Sequence, residues 1–252
     1  MSVIPESIAY NFGALPTSMV MSLLVWALII IPSCFVRCVY KRVPGKLQTL
    51  FEMFFEWIFN MADEFMGEEA PRYYLLFCGL FIYVLVANLV GLVPGLVSPT
   101  ADLSVTVSLA VLVFVYYNFL GFQRHGLKYI AHFFGPPMPW YFFPLRGLFF
   151  VIEIIGNFAK PFSLAMRLFC NILSKEILLA ILAFLIVYFI SGSDITQKTL
   201  LIAPLILRPF ILILGFMLSF VQALIFMVLS MTYIAGAVGQ EAHESSKEGD
   251  LC

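Results

Sequence analysis

Seven polar residues, Glu153, Asn157, Lys160, Ser163, Arg167, Asn171 and Ser174, follow one another at steps of four, three, three, four, four and three through a stretch that is otherwise almost wholly apolar. That spacing lays them along one face of a helix. The charged members, Glu153, Lys160 and Arg167, recur every seven residues. Arg167 is the most expensive of them. An arginine at a bilayer centre costs from about 2.5–3.5 to over 10 kcal/mol, depending on the reference state, and its guanidinium cannot go neutral as a lysine can. The chemistry open to such a face is electrostatic: it meets water, passes an ion or receives a charged partner. Small polar residues also serve as plain contacts between membrane helices, and Ser163 or Ser174 alone implies no more than that. The full register, with three ionisable groups, implies more. Pro161 falls inside it and is expected to kink the helix or loosen its backbone bonds near Asn157 and Lys160.

Glu176 lies nine residues beyond Arg167, roughly 900° of rotation at about 100° per residue, so it points nearly opposite the arginine. One helix then carries a titratable acid and a permanent cation on different faces, and a simple Arg–Glu pair is not expected. Lys175 beside it reads as a sign that this end nears an aqueous boundary. A second, sparser stripe follows: Arg208, Gly215, Ser219 and Gln222, at steps of seven, four and three. Gln222, among apolar neighbours, must hydrogen-bond to another helix, a water or a charged group.

The elements that must position these residues belong to a membrane protein. Of the 252 residues 62% are hydrophobic and 12% charged, about half the charged share of a soluble domain. Continuous apolar runs favour helices over the alternating strands of a barrel. The net charge of −1 gives no hint of nucleic acid. The five cysteines (Cys34, Cys38, Cys78, Cys170 and Cys252) form no metal or redox spacing and are expected to be reduced, packed thiols. The first sixteen residues carry no basic residue and do not resemble a signal or transit peptide, so the first apolar run reads as a retained helix.

Residues 17–36 form the first expected span. Arg37, Lys41, Arg42 and Lys46 follow it, which places that end in the cytoplasm and the N-terminus outside. Residues 48–66 mix aromatic residues with Glu52, Glu56, Asp63 and Glu64 and read as an amphipathic helix on the membrane surface. Residues 73–93 form the second span, and GLVPGLVSPTADLS turns the chain. Residues 103–120 form the third, ending at Arg124, His125 and Lys128, again on the cytoplasmic side. GPPMPWYFFP (135–144) is a rigid connector. Two long apolar regions, 145–190 and 200–238, complete a single membrane domain, and the polar tail 239–252 is expected to be disordered or surface-lying, on the cytoplasmic side. The first of these regions could be two short crossings or one long, strongly tilted helix.

At these residues the chain resembles subunit a of F-type ATP synthases. EIIGNFAKPFSLAMRLFCNILSKE (153–176) and VQALIFMVLSMTYIAGA (221–237) carry the resemblance, with PTADLSVTVSLAVLVF (99–114) and NLVGLVPG (88–95) in support. It covers nearly the whole chain. The resemblance implies an all-α polytopic membrane protein with three roughly perpendicular spans, a surface helix and a hairpin of two long tilted helices, which selects the single tilted helix for 145–190. It further implies a non-catalytic, ion-translocating stator subunit in which Arg167 faces the rotor ring. Glu176, Asn171 and Gln222, with Ser219 beside them, match the outer half-channel; Asp102 lies at its entrance. Glu153, Lys160 and Ser163, with Asn157 in the same stripe, match the inner side. Implied partners are the ring of c subunits, the peripheral-stalk b subunits, other synthase subunits and the bilayer. No cofactor or metal is implied, and the location is a bacterial inner membrane. Cys170 stands where the family usually has glycine. Gly215 stands where some members carry a histidine that works with the outer acid, so Glu176 is expected to work with Gln222 or water. A self-contained channel or transporter, with the stripe lining its own pore, is the rival reading; such folds often show internal repeats, and no convincing repeat is evident. A purely structural membrane anchor accounts for neither Arg167 nor Glu153.

Overall fold

The computed structural model describes residues 17–39, 45–93, 96–126, 143–191 and 195–238. The first sixteen residues, Lys41, Arg42, Lys128, most of the 135–144 connector and the 239–252 tail lie outside the described residues. Among the described residues every regular element is helical: α1 (Thr17–Val39), α2 (Lys46–Met66), a 3-10 turn (Gly67–Arg72), α3 (Tyr74–Val90), a second 3-10 turn (Pro99–Ala101), α4 (Leu103–His125), α5 (Phe143–Ser191), α6 (Ile195–Leu200) and α7 (Ile202–Val238). In hydrocarbon a helix satisfies its own backbone polar groups, which is why such apolar runs take this form. The stretches Leu103–Arg124, Phe150–Ser191 and Lys198–Val238 are long and apolar enough to cross a membrane, and Ser18–Cys34 is a shorter apolar helix. The chain is an all-α polytopic membrane protein.

The region 145–190 is one helix and not two crossings. α5 runs unbroken through Pro161 for 49 residues, about 74 Å at 1.5 Å per residue, against about 30 Å of hydrocarbon. α7 likewise continues through Pro209 over 37 residues. A proline costs one backbone bond; it does not end either helix here.

The chain divides into two compact units, each discontinuous in sequence: Met1–Gly45, Gly79–Thr106 and Arg167–Phe226 in one; Lys46–Cys78, Val107–Met166 and Met227–Cys252 in the other. In the first, Val25 of α1, Phe81, Val84 and Ala87 of α3, Leu168 and Ile172 of α5 and Ala223 and Phe226 of α7 are buried. Trp26 packs on Tyr83 and Phe81 edge-on against Phe220, with ring centroids 5.4 and 5.7 Å apart. Hydrocarbon gives packed helices no hydrophobic advantage, so close approach through small residues matters more. Gly215, Ser219 and Ala223, four apart and all buried on α7, provide it. A Cβ at Gly215 would lie 2.8 Å from Leu92 Cδ2 and 3.4 Å from Lys175 Cδ.

In the second unit Ile58 and Ala62 of α2, Phe77 of α3, Tyr117 of α4, Leu164 of α5 and Met231 and Ile234 of α7 are buried. Phe59 stacks on Tyr74 at 4.3 Å, and the Tyr74 hydroxyl donates to Asp63. Leu50, Phe51, Met53 and Trp57 of α2 are exposed among its charged residues, as expected of an amphipathic helix. Cys78 is buried and free, but Cys34 and Cys170 are free and exposed. The expectation of packed thiols therefore fails for those two, because both lie on helix faces that none of the other described residues covers; the Cys38 side chain and Cys252 are outside the described residues.

In the 3-10 turn after α2, one carboxylate oxygen of Glu69 accepts from Arg124 at 2.6 Å and from Arg72 at 2.9 Å. The Arg124 hydrogen bond, aided by both guanidinium charges, holds the Glu69 carboxyl below its ordinary pKa despite a partial desolvation that opposes it. A depressed acid contributes stability that is complete above its unfolded pKa, about 4.3, and is lost as pH falls through the lower folded value. Glu69→Gln is therefore expected to lower the melting temperature of the detergent-solubilised chain at pH 7, with the gap to wild type closing as pH falls well below 4. A gap that is constant with pH would mean the effect is not the ion pair.

Candidate functional site

Two polar clusters emerge, one in each unit, and α5 and α7 contribute to both. In the first unit the α3–α4 connection folds back on α5. The Ser98 backbone N–H donates to Glu176 Oε1 at 2.9 Å. Gly91 makes room for this approach: a Cβ there would sit 2.7 Å from Ser98 Cβ and 3.1 Å from Glu176 Oε1. Behind Ser98, its Oγ lies 2.8 Å from the Ala87 carbonyl and 2.6 Å from Thr100 Oγ1, and Thr100 Oγ1 lies 2.9 Å from the side-chain amide of Asn88. Two hydroxyl hydrogens cannot serve three bonds. With the Asn88 amide turned so that its NH2 faces Thr100, the chain runs Asn88 to Thr100 to Ser98 to Ala87 with one hydrogen for each bond.

Lys175 is buried, with 6% of its surface exposed. Its ammonium donates to the Asn88 carbonyl at 3.0 Å and to Ser219 Oγ at 3.2 Å, and Ser219 Oγ in turn donates to the Gly215 carbonyl at 2.7 Å. Lys175 is therefore packed among the chain's own helices. Its stem passes Gly215, where a Cβ would stand 3.4 Å from its Cδ, and its charge reaches polar groups on α3 and α7. Asn171 Nδ2 donates to Gln222 Oε1 at 2.8 Å. Gln222 thus bonds a neighbouring helix, as its surroundings require, but the structure does not bring it to Glu176, whose partner is Ser98. Gln222 and Asn88 are both buried, and each keeps one side-chain amide atom without a partner among the described residues. Buried amides need such partners, and water is the smallest that serves. Residues 171 and 175 of α5 meet 222 and 219 of α7, so within this unit the two helices run antiparallel.

Arg167 is exposed, as are Asn171 and Ser174 farther along α5. Among the described residues it has no ion pair or hydrogen bond. Glu176, half-buried, turns the other way into the α3–α4 connection. The opposition read from a nine-residue spacing is present in three dimensions.

Asp102 is the N-cap of α4: its Oδ1 accepts from the Ser104 N–H at 3.0 Å. Burial pushes its carboxyl up, but the Ser104 N–H and the hydroxyls of Ser18 and Ser104 outweigh burial and hold it below its ordinary pKa. It remains an anion with a structural task.

The second unit holds Asn157, Lys160 and Ser163; Ser163 is exposed, and the Glu153 side chain is outside the described part. The Tyr117 hydroxyl donates to Asn157 Oδ1, Asn157 Nδ2 donates to Asn118 Oδ1 at 3.3 Å, and Asn118 Nδ2 donates to the Phe114 carbonyl at 2.8 Å. The Lys160 ammonium lies 6.0 Å from the Tyr117 ring centroid and 5.5 Å from that of Tyr233. Sequence reasoning missed Asn88, Ser98, Thr100, Tyr117, Asn118 and Tyr233. Ser98 meets Glu176, Asn88 meets Lys175, Tyr117 and Asn118 meet Asn157, and Tyr233 meets Lys160 only across helices remote in sequence, and only the D-L-S start of α4 carried a local signal, for the Asp102 cap.

The family model "ATP synthase A chain" matches residues 19–235. The chain is 38% identical over 201 residues to the ATP synthase subunit a of Aquifex aeolicus, covering 79% of this chain and 87% of that one. It is 37% identical over 220 residues to the ATP synthase subunit a of Geotalea daltonii, 87% and 86% of the two chains. Against the ATP synthase subunit a of Geobacter sulfurreducens it is 38% identical over 203 residues, 81% and 79% of the two.

Capping by Asp102 can be separated from any need for its charge. Asp102→Ala is expected to destabilise the chain by about 1 kcal/mol, and Asp102→Asn, which keeps an acceptor for the Ser104 N–H, by only a few tenths. Thermal unfolding in detergent checks this; equal losses for both variants would contradict a capping role.

Proposed function

Since the chain belongs to the ATP synthase subunit a family, we propose that it forms the two offset half-channels of a rotary F-type synthase, with Arg167 as the electrostatic separator between them. Its place in that complex is as a non-catalytic, multi-pass subunit of the bacterial plasma membrane, working in ATP synthesis and ion transport alongside other synthase subunits. The observation that carries the finer reading is the division of α5. Arg167 is exposed and has no partner among the described residues, whereas Glu176 is drawn inward by Ser98.

The partner of Arg167 is, on this reading, a carboxyl on the ring of c subunits. Beside the guanidinium that carboxyl is held as the anion, because an adjacent cation lowers its pKa; turned toward lipid it is desolvated, its pKa rises, and it must carry a proton or a bound ion. Glu176, Asn171, Gln222 and Ser219 line the outer approach, which supplies the ion. Asn157, Lys160, Ser163 and Glu153 line the inner one, which removes it. Asp102 holds the outer end in place as a helix cap. The two buried amides with a free atom, Asn88 and Gln222, support water reaching the outer cluster. One elementary charge moved through 100 mV releases about 2.3 kcal/mol, which biases the direction of rotation. The long helices α5 and α7 lie tilted against the ring, with the b subunits holding the chain as part of the stator, the N-terminus outside and the C-terminus in the cytoplasm.

Arg167 transfers no proton; it gates. Arg167→Lys is expected to lower ion-driven ATP synthesis in membrane vesicles by at least roughly tenfold, the effect of about 1.4 kcal/mol of lost electrostatic preference, because an ammonium can lose its proton and lacks the planar fork. Normal synthesis by that variant would remove the gate. Glu176→Gln is expected to slow ion uptake while the complex still assembles; synthesis unchanged at every pH would take Glu176 off the path.

A further inference from the structure

Lys160 is solvated in an unusual way. Its ammonium sits over two aromatic rings, Tyr117 at 6.0 Å and Tyr233 at 5.5 Å, and among the described residues no carboxylate pairs with it. The rings themselves are 5.8 Å apart and inclined at 47°. Tyr117 is 3% exposed. Its hydroxyl is tied to Asn157, Asn157 to Asn118, and Asn118 to the Phe114 carbonyl, so each donor in the chain has one acceptor. That chain fixes where the Tyr117 ring stands.

Ring faces attract a cation through their quadrupole, but they do not cancel its charge as a carboxylate would. A lysine on a free four-carbon stem samples many positions; one held against two adjoining rings presents its charge from one place. We propose that Tyr117 and Tyr233 are positioning residues for ion release: they form an aromatic cage that fixes the Lys160 ammonium, with which no described carboxylate pairs, beside the inner exit. This rests on the reading of Lys160 as part of the inner half-channel. A fixed cation at the exit keeps a passing carboxyl in its anionic form and so favours loss of its ion to the inner side.

Ring electronics separate this role from packing. In the assembled complex in membrane vesicles, Tyr233 is replaced by phenylalanine and by phenylalanines carrying one, two and three ring fluorines, which drain the ring face with little change of shape. The ATP synthesis rate at a fixed imposed ion gradient is expected to fall stepwise by about threefold across the series, a loss in keeping with an ordinary cation–π contribution. In a Lys160→Met background the same series is expected to be flat. A flat series with Lys160 present, or an equal slope without it, overturns the cage. On the other wall, Tyr117→Phe, which keeps the ring and cuts the bond to Asn157, is expected to retain more activity than Tyr117→Leu; equal loss in the two also overturns it. The half-channel reading fails separately, if Arg167→Ala complexes still synthesise ATP from the gradient.

Discussion

Arg167 keeps its charge at every accessible pH, and in hydrocarbon that charge is costly unless something polar or of opposite sign meets it. Nothing among the described residues of its own chain does so. The α5 helix presents it on an exposed face beside Asn171 and Ser174, while a cluster of polar groups gathers on the other side around Glu176 and Lys175. A helix that separates a permanent cation from the acid nine residues away keeps the two from neutralising each other. Much of the remaining architecture serves that separation. Gly91 lets the α3–α4 connection reach Glu176, Gly215 lets Leu92 approach α7, and Ser219 and Asn88 take up the hydrogens of Lys175.

Among the described residues, the two lysines of α5 show two ways to keep a cation inside a membrane protein without an ion pair. Lys175 uses backbone and hydroxyl oxygens from two other helices. Lys160 uses ring faces. Among the described residues neither makes a salt bridge.

How much of this the sequence revealed depends on range. The stripe, the opposed faces of Arg167 and Glu176, the all-α membrane class and the need of Gln222 for a polar neighbour follow from periodicity and the cost of burying polar groups, which act within one helix. What periodicity could not reach is contact between helices. Lys175 read as a sign of a nearby aqueous boundary, and nothing local showed that Asn88 and Ser219, on two other helices, take up its hydrogens. Glu176 was expected to work with Gln222 or water, and periodicity could not show that the Ser98 N–H, brought in by a turn seventy-eight residues earlier, also reaches it. Tyr117 and Tyr233 were invisible among so many aromatic residues, since ring placement over an ammonium has no sequence signature. Pro161, expected to kink the helix or loosen its bonds, lies inside a continuous α5.

The central claim is that the exposed cation of α5 answers to a carboxyl on another chain. A density map of the assembled complex, at a resolution that shows side chains around Arg167, tests it most directly. The expected result is a guanidinium directed at the rotor carboxyl, in contact with it or joined to it by water, with Glu176 still turned toward Ser98. An Arg167 side chain folded onto a carboxylate of its own chain, or facing lipid with no rotor carboxyl in reach, would contradict the account.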